Sequence, residues 1–423
     1  MATYIRRVID TEIDELFGEL PALLLDGAKG VGKTETALQR ARTIRRLDDA
    51  GQAAIALADP SSAIAGTPPV LLDEWQRVPL IWDAVRRAVD EDRSGARFLL
   101  TGSAPFRETS VHSGAGRIAS LRMRPMTLPE RGVTSPTVSL GSLLTDPDAS
   151  IEGASGLALL DYVDEILASG FPGLQGLAPR PRRAQLSAYV DHIVERDVEE
   201  AGFRTRRPAT LRRWLQAYAS ATSTITSFEK IRFAAAGTSD EVPARSTTIP
   251  FVEVLTALRI LEPLVAWDAS GSKLRHLTRS PKHHLVDPAL SAQILNLGKE
   301  SLVTGKGPDG APSGSPFLGA LFESLATMSI RVFAQAREAT VFYLRTASGS
   351  HEVDLVVVGP DDHVAAFEIK LGQVIEDEDV RHLKWLQGQM GSRLTNTAVI
   401  SSGTDAYRRP DGVAVIPLAL LGT

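Results

Sequence analysis

Cysteine is absent from the chain. Disulfides and thiolate metal sites are therefore excluded, and a reducing interior is the expected setting. A strong charge of one sign is also missing. The formal net charge is −5 over 423 residues, so the chain as a whole carries no nucleic-acid signature. A local one is left open. Residues 1–17 carry charges every few positions and lack the apolar core of a secretory leader. No stretch reads as about 18 uncharged apolar residues, so no membrane span is expected. A cytoplasmic protein is the default that follows. With 43 % hydrophobic and 23 % charged residues the composition is that of an ordinary globular chain. Its length suggests two or three domains.

What is present is organised around residues 22–34, ALLLDGAKGVGKT. The apolar run at 22–25 predicts a buried strand. Residues 27–34 then follow the pattern GxxxxGK[ST], and TETALQRARTIRR predicts a helix. Strand, glycine loop and helix in this order are the setting of a phosphate-binding loop. Gly27, Gly30 and Gly32 let the backbone turn so that successive N–H groups face a β-phosphate, and the helix N-terminus adds its partial positive charge. Lys33 reaches the β- and γ-phosphates, and the Thr34 hydroxyl ligates Mg²⁺. ATP and Mg²⁺ are the expected ligands.

AAIALAD (53–59) predicts a second strand and PPVLLDEWQ (68–76) a third. Asp73 and Glu74 stand at the carboxyl end of the third, where an open parallel sheet keeps its ligand-handling groups. Asp73 is assigned to Mg²⁺ opposite Thr34. Glu74 is assigned as general base, or as the group that orients the attacking water. PLIWDAVRRAVDE (79–91) predicts an amphipathic helix. ARFLLTGSAP (96–105) predicts a strand ending in Thr101, Gly102 and Ser103. Ser103 is the candidate that senses the γ-phosphate or holds the water; a capped turn is the competing reading. Arg117, Arg122 and Arg124 follow as cations near the nucleotide edge, each of which also reads as a solvated arginine. LLDEWQRVP, FLLTGSAP and GAGR…RPMTLPE, together with GAKGVGKT, resemble a bacterial and archaeal family of AAA-type ATPases whose second half is a domain of unknown function. The resemblance implies an ATP-hydrolysing α/β domain over residues 1–135. It singles out Arg117, in its GR motif, as a finger or a structural residue. A finger would serve a neighbouring copy, which makes a homo-oligomer an expectation.

Residues 132–156 lack periodicity and are rich in Gly, Ser, Pro and Asp, which predicts a linker. Helices are predicted at 157–170 and 182–200, where ASGFPGL and YVDHIVERDVEE also fit the family pattern. Further helices are predicted at 208–222, 227–237 and 250–264, and three β-like runs follow. Three helices and then strands is the order of a winged helix-turn-helix, placed within residues 150–300. Between 180 and 232 there are 11 Lys/Arg against 6 Asp/Glu, an excess that suits DNA phosphates or a solvated face. In the DNA reading Lys273, Arg275, His276, Arg279 and Lys282 are wing cations. The third helix offers Arg259 alone as a strong cation, which favours an equally simple packing role. His276, His283 and His284 lack acidic partners at ligand spacing.

Residues 303–316 predict a flexible loop. The order over 315–423 reads helix, three strands, helix, strand. Glu368 and Lys370 stand two apart on one strand and share a face. Asp354 lies across a hairpin from Glu368. Two carboxylates and a lysine at one edge can bind Mg²⁺ and set a water against a phosphodiester; a Lys–Glu pair that is purely structural is the alternative. The spacing D-x13-E-x-K resembles the restriction-endonuclease-like PD-(D/E)xK superfamily, and Glu323 on the preceding helix matches a further acidic position. Glu-Val rather than Pro precedes Asp354. The resemblance implies a nuclease-like fold with Asp354 and Glu368 as metal ligands. Two functions compete: an ATPase acting on DNA, and a slow nucleotide-gated switch that binds DNA or a protein without cleavage.

Overall fold

The computed structural model describes residues 4–102, 115–203, 207–237, 242–267, 280–304, 315–346 and 348–423. Five strands form the first sheet: β1 (Ala22–Asp26), β2 (Thr43–Arg46), β3 (Val70–Asp73), β4 (Phe98–Gly102) and β5 (Ala119–Arg122). All pair in parallel, in the order β2-β3-β4-β1-β5. Strands β3 and β4 are buried throughout, as apolar runs covered on both faces must be. Alternate side chains serve different cores. Leu23, Leu25, Leu71 and Leu99 point to one, and Ala22, Val70, Leu72 and Leu100 to the other.

Two sequence expectations are corrected here. The helix after the glycine loop ends at Leu38, and TIRR forms the edge strand β2. AAIALAD is not a strand but lies in the helix Ala50–Ala58, started by Asp49, whose side chain accepts from the Gln52 N–H at 2.9 Å. Alternation in a short apolar run does not distinguish strand from helix, and the cap decided.

The helical region contains Leu159–Ala168, Pro179–His192, Pro208–Ser220, Phe228–Ala234 and Arg245–Ala257. Pro179–His192 runs on through a π turn, Ile193–Asp197. Two antiparallel bridges follow the last of these helices, Leu261 with Leu285 and Leu264 with Lys282. Trp214, Leu215, Tyr218, Phe251 and Leu255 share one core with Leu23, Leu25 and Val31, so this region is packed onto the first sheet.

The expected linker is not one. Within it, β6 (Val138–Ser139) pairs with the chain's last strand, and β7 (Gly153–Ala154) forms the outer edge of the second sheet. Between them Leu140–Thr145 is a helix whose Leu140, Leu143 and Leu144 join the C-terminal core. That sheet adds β8 (Thr340–Arg345), β9 (Glu352–Val358), β10 (Val364–Lys370), β11 (Leu394–Ser401), β12 (Asp405–Arg408) and β13 (Ala414–Pro417). Its order is β7-β12-β13-β11-β10-β9-β8, and β14 (Leu421–Gly422) pairs with β6 outside it. The long helix Ser315–Gln335 packs on this sheet. By length and composition its stretch Pro316–Gln335 would pass as a membrane span, against the sequence expectation, but 67 % of the apolar window is buried inside the fold.

Candidate active site

Strand β1 ends at Asp26 and releases the chain into the glycine loop. Gly30 and Gly32 take φ of 80° and 103°, the left-handed region that side chains avoid. At Gly27 a Cβ would lie 2.3 Å from the Met123 carbonyl oxygen, so no side chain fits. Lys33 turns back into this loop. Its Nζ donates to the carbonyl oxygens of Gly27 and Ala28, each at 2.8 Å. The ammonium is buried, and burial pushes it down to about 8 although Glu74 and Asp26 oppose the shift. A buried cation held only by carbonyls in a glycine cradle suits an anionic ligand.

Asp73 at the end of β3 is the hub beside it. The Thr34 hydroxyl donates to Asp73 Oδ1 at 2.7 Å, and the Thr101 hydroxyl at the end of β4 donates to the same oxygen at 2.5 Å. The predicted Mg²⁺ pair, Thr34 and Asp73, is thus brought together. Ser103 lies outside the described residues; the strand-end hydroxyl that meets Asp73 is Thr101, two positions earlier. Glu74 sits in a left-handed conformation, φ 55° and ψ 43°, uncommon for a residue with a Cβ. The Gln76 amide donates to Glu74 Oε2 at 2.6 Å. Sequence reasoning missed Gln76, and only its place two residues after Glu74 hinted at it.

Arg117 precedes β5 and donates from Nε to Asp90 Oδ1 at 2.6 Å, on the last turn of the helix Leu80–Glu91. Parallel strands put that point at the sheet edge opposite the glycine loop, so Arg117 does not serve its own chain's loop. Arg122, at the other end of β5, is the arginine beside it, with Nη1 3.3 Å from Asp26 Oδ2. Arg259 approaches the same Asp26 oxygen at 2.7 Å, which removes it from the groove-reading role. Arg122 also donates to Glu262, and Glu262 further contacts Arg124 at 3.5 Å and Arg331 at 3.0 Å. Burial pushes the Glu262 carboxyl up, but Arg124, Arg122 and Arg331 outweigh it and hold it far below the carboxylate range. Burial lowers Arg331 to about 10.

The helical region covers the loop from the other side. Lys29 Nζ lies 2.6 Å from Asp197 and 3.2 Å from Glu200, and the Tyr189 hydroxyl donates to the Lys29 carbonyl at 3.0 Å. A cavity of about 220 Å³ opens there, lined by Gly30, Phe171, Leu174, Tyr189 and His192 among others.

The C-terminal carboxylates converge, but on an unexpected partner. Lys282 Nζ lies 2.8 Å from Glu323, 3.0 Å from Asp354 and 3.6 Å from Glu352. Lys282 was read as a wing cation; it is 1 % exposed. Lys273, Arg275, His276 and Arg279 lie outside the described residues. Burial pushes Asp354 up, but Lys282 and the Ile369 N–H, 2.9 Å away, outweigh it and hold it down. Burial and then Asp354 raise Glu368 to about 10 and Glu323 to about 7. Lys370 stands apart, its side chain 37 % exposed and 3.9 Å from Glu368. Among the described residues no group of three or more His, Cys, Asp or Glu is placed to hold a metal ion. His283 and His284 are core groups, bonded to the Thr226 carbonyl at 2.6 Å and the Ser324 hydroxyl at 3.3 Å; burial lowers both.

Comparison with known proteins agrees with the first site. Residues 19–131 match the family model of an AAA domain. Residues 159–301 and 318–421 match two domains of unknown function, DUF8612 and DUF4143. An uncharacterized protein of Mycobacterium tuberculosis and one of Mycobacterium bovis are each 24 % identical over 344 residues, 80 % of this chain and 67 % of theirs. Among solved structures, a Walker-type ATPase of Pyrococcus abyssi aligns with TM-score 0.39 and 13 % identity over 67 % of this chain and 94 % of that one. The replication initiator DnaA, bound to AMPPCP and single-stranded DNA, aligns with TM-score 0.26 and 14 % identity over 59 % and 86 %. Residues 19–131 are thus similar to an AAA domain, and residues 318–421 to a domain of unknown function.

Proposed function

We propose that this protein is an ATP-hydrolysing switch of AAA type whose helical region and C-terminal domain bind DNA without cutting it. The carrying observation is the buried Lys33 ammonium in its glycine cradle, with Thr34, Asp73 and Glu74 at the same edge of the sheet. Lys33 neutralises the oxygens between the β- and γ-phosphates. Thr34 and Asp73 hold Mg²⁺, which shields charge on those phosphates when bound. Glu74, aimed by Gln76, takes the proton of the attacking water. The DNA part is supported by the order of helices and β-like runs that the sequence predicts for the middle region, in the manner of a winged helix, and by its local cation excess. Non-cutting is favoured because the lysine seated on Glu323 and Asp354 is Lys282, from outside the D-x13-E-x-K pattern, while Lys370 of that pattern stands 3.9 Å from Glu368.

Hydrolysis measured with and without duplex and single-stranded DNA tests the reading. Lys33→Ala should abolish tight ATP binding. Glu74→Gln should retain binding and lose turnover by about 10²-fold or more, since the amide accepts no proton. Unchanged hydrolysis in Glu74→Gln removes that residue from the chemistry. DNA affinity should fall with salt, with a log–log slope of about −0.9 per neutralised phosphate. Salt-independent or absent DNA binding rejects the DNA part and leaves a switch acting on a protein.

A further inference from the structure

We propose that Lys282 is the resident cation of the C-terminal carboxylate centre, and that this centre is a metal-free joint locking the helical region to the C-terminal domain. Three elements meet there. The long helix brings Glu323, β9 brings Glu352 and Asp354, and the bridge segment of the helical region brings Lys282. The ammonium lies within 3.0 Å of an oxygen of Glu323 and of Asp354, and Glu352 is 3.6 Å away. These are distances of charge-assisted hydrogen bonds. The second oxygen of Asp354 takes the Ile369 N–H at 2.9 Å, so both its oxygens are engaged. A divalent ion on those oxygens would face the ammonium at close range, a repulsion that sets it in competition with the lysine. Lys370, the lysine that the sequence pattern points to, leans outward to Glu368 and Asp379, at 3.9 and 3.6 Å.

The backbone around Lys282 tells the same story. Its own N–H and carbonyl pair with Leu264, at 2.9 and 2.8 Å. The strand-like segment holding Leu264 continues to Ala266, which bridges Tyr343 on β8, the edge of the C-terminal sheet. The Trp267 N–H donates to the Tyr343 carbonyl at 2.6 Å, and the Tyr343 N–H to the Val265 carbonyl at 3.1 Å. The pair of segments is therefore an extension of the C-terminal sheet, and Lys282 is the charged bolt through it.

The inference concerns a different site from the ATP reading and supports only its non-cutting clause. The test uses the full chain without nucleotide, so that no ATP complex contributes metal affinity. Mn²⁺ is titrated calorimetrically and the thermal midpoint is followed with Mn²⁺, Mg²⁺ and EDTA. The wild type should show no Mn²⁺ binding that Asp354→Asn abolishes, and no Asp354-dependent shift of the midpoint. Lys282→Gln should lower the midpoint by roughly 5 °C or more, because buried carboxylates lose their counter-charge. Stoichiometric Mn²⁺ binding by the wild type that vanishes in Asp354→Asn overturns the proposal, as does a Lys282→Gln midpoint equal to wild type. Should Lys282→Gln fail to fold, the wild-type titration decides alone. Metal binding that survives Asp354→Asn belongs to another site, the Thr34–Asp73 edge being the candidate, and leaves the joint supported.

Discussion

Lys33 is a lysine held in an unfavourable place. Burial lowers its proton affinity to about 8, from about 10.4 for a free lysine. Between those two values the unfolded chain binds more protons than the folded one, so the stability of the nucleotide-free protein rises with pH across that window. Phosphate oxygens reverse the balance by favouring the charged form. Nucleotide binding should therefore draw in close to one proton at about pH 9 and only about a quarter of one at about pH 7.5. Calorimetry in buffers of different ionisation enthalpy reads this directly. Equal uptake at both pH values would mean that Lys33 is not the group that meets the phosphates. At this scale the sequence was informative where a motif fixes a residue's neighbours, as with Lys33, Thr34 and Asp73. It misplaced Lys282 as a wing cation, because the pairing spans 41 and 72 residues of chain to Glu323 and Asp354, and no local pattern reports such a contact.

The helix that carries Tyr189, together with its π turn, lies against the glycine loop. Single π turns inside helices often mark functional positions. Here the turn ends at Asp197, and one turn later Glu200 joins it on Lys29. Two carboxylates at the mouth of a phosphate site repel an incoming nucleotide and occupy the loop's own lysine. Asp197→Asn combined with Glu200→Gln should quicken association of a fluorescent ATP analogue by roughly 3–10-fold at low salt, with the gain shrinking at high salt. A stopped-flow rate that is unchanged, or a gain indifferent to salt, would assign this contact to packing alone. Long periodic helices and buried parallel strands were legible beforehand. The strands that were not, β2, β5, β6, β7, β12, β13 and β14, are two to four residues long. Their pairing partners, rather than their own composition, make them strands.

Across the whole molecule the glycine loop and the C-terminal domain are joined by charge. Asp26, the last residue before the loop, contacts Arg122 and Arg259; Arg122 donates to Glu262; Glu262 contacts Arg331 on the long helix. Arg124 completes the set, contacting Glu262 and donating to Gln335 at 3.0 Å. This junction was not legible in the sequence, since Arg122 and Arg124 read as solvated side chains, Arg259 as the cation of a winged helix, and Arg331 carried no signal. Glu262 is its centre, a buried carboxylate facing three arginines. Glu262→Gln keeps the shape and removes the charge, leaving those arginines without it. The cost should be about 3–5 kcal/mol. Because the folded-state carboxyl is depressed, its contribution is present above the unfolded value of about 4.3 and is lost as pH falls toward the folded one. Wild type and Glu262→Gln should therefore differ most in thermal midpoint near neutrality and converge as the pH is taken down through about 4 to about 3. A difference that stays constant over that range would show that the substitution acts by disturbing packing, and the charge junction would lose its claim to connect the two ends of the chain.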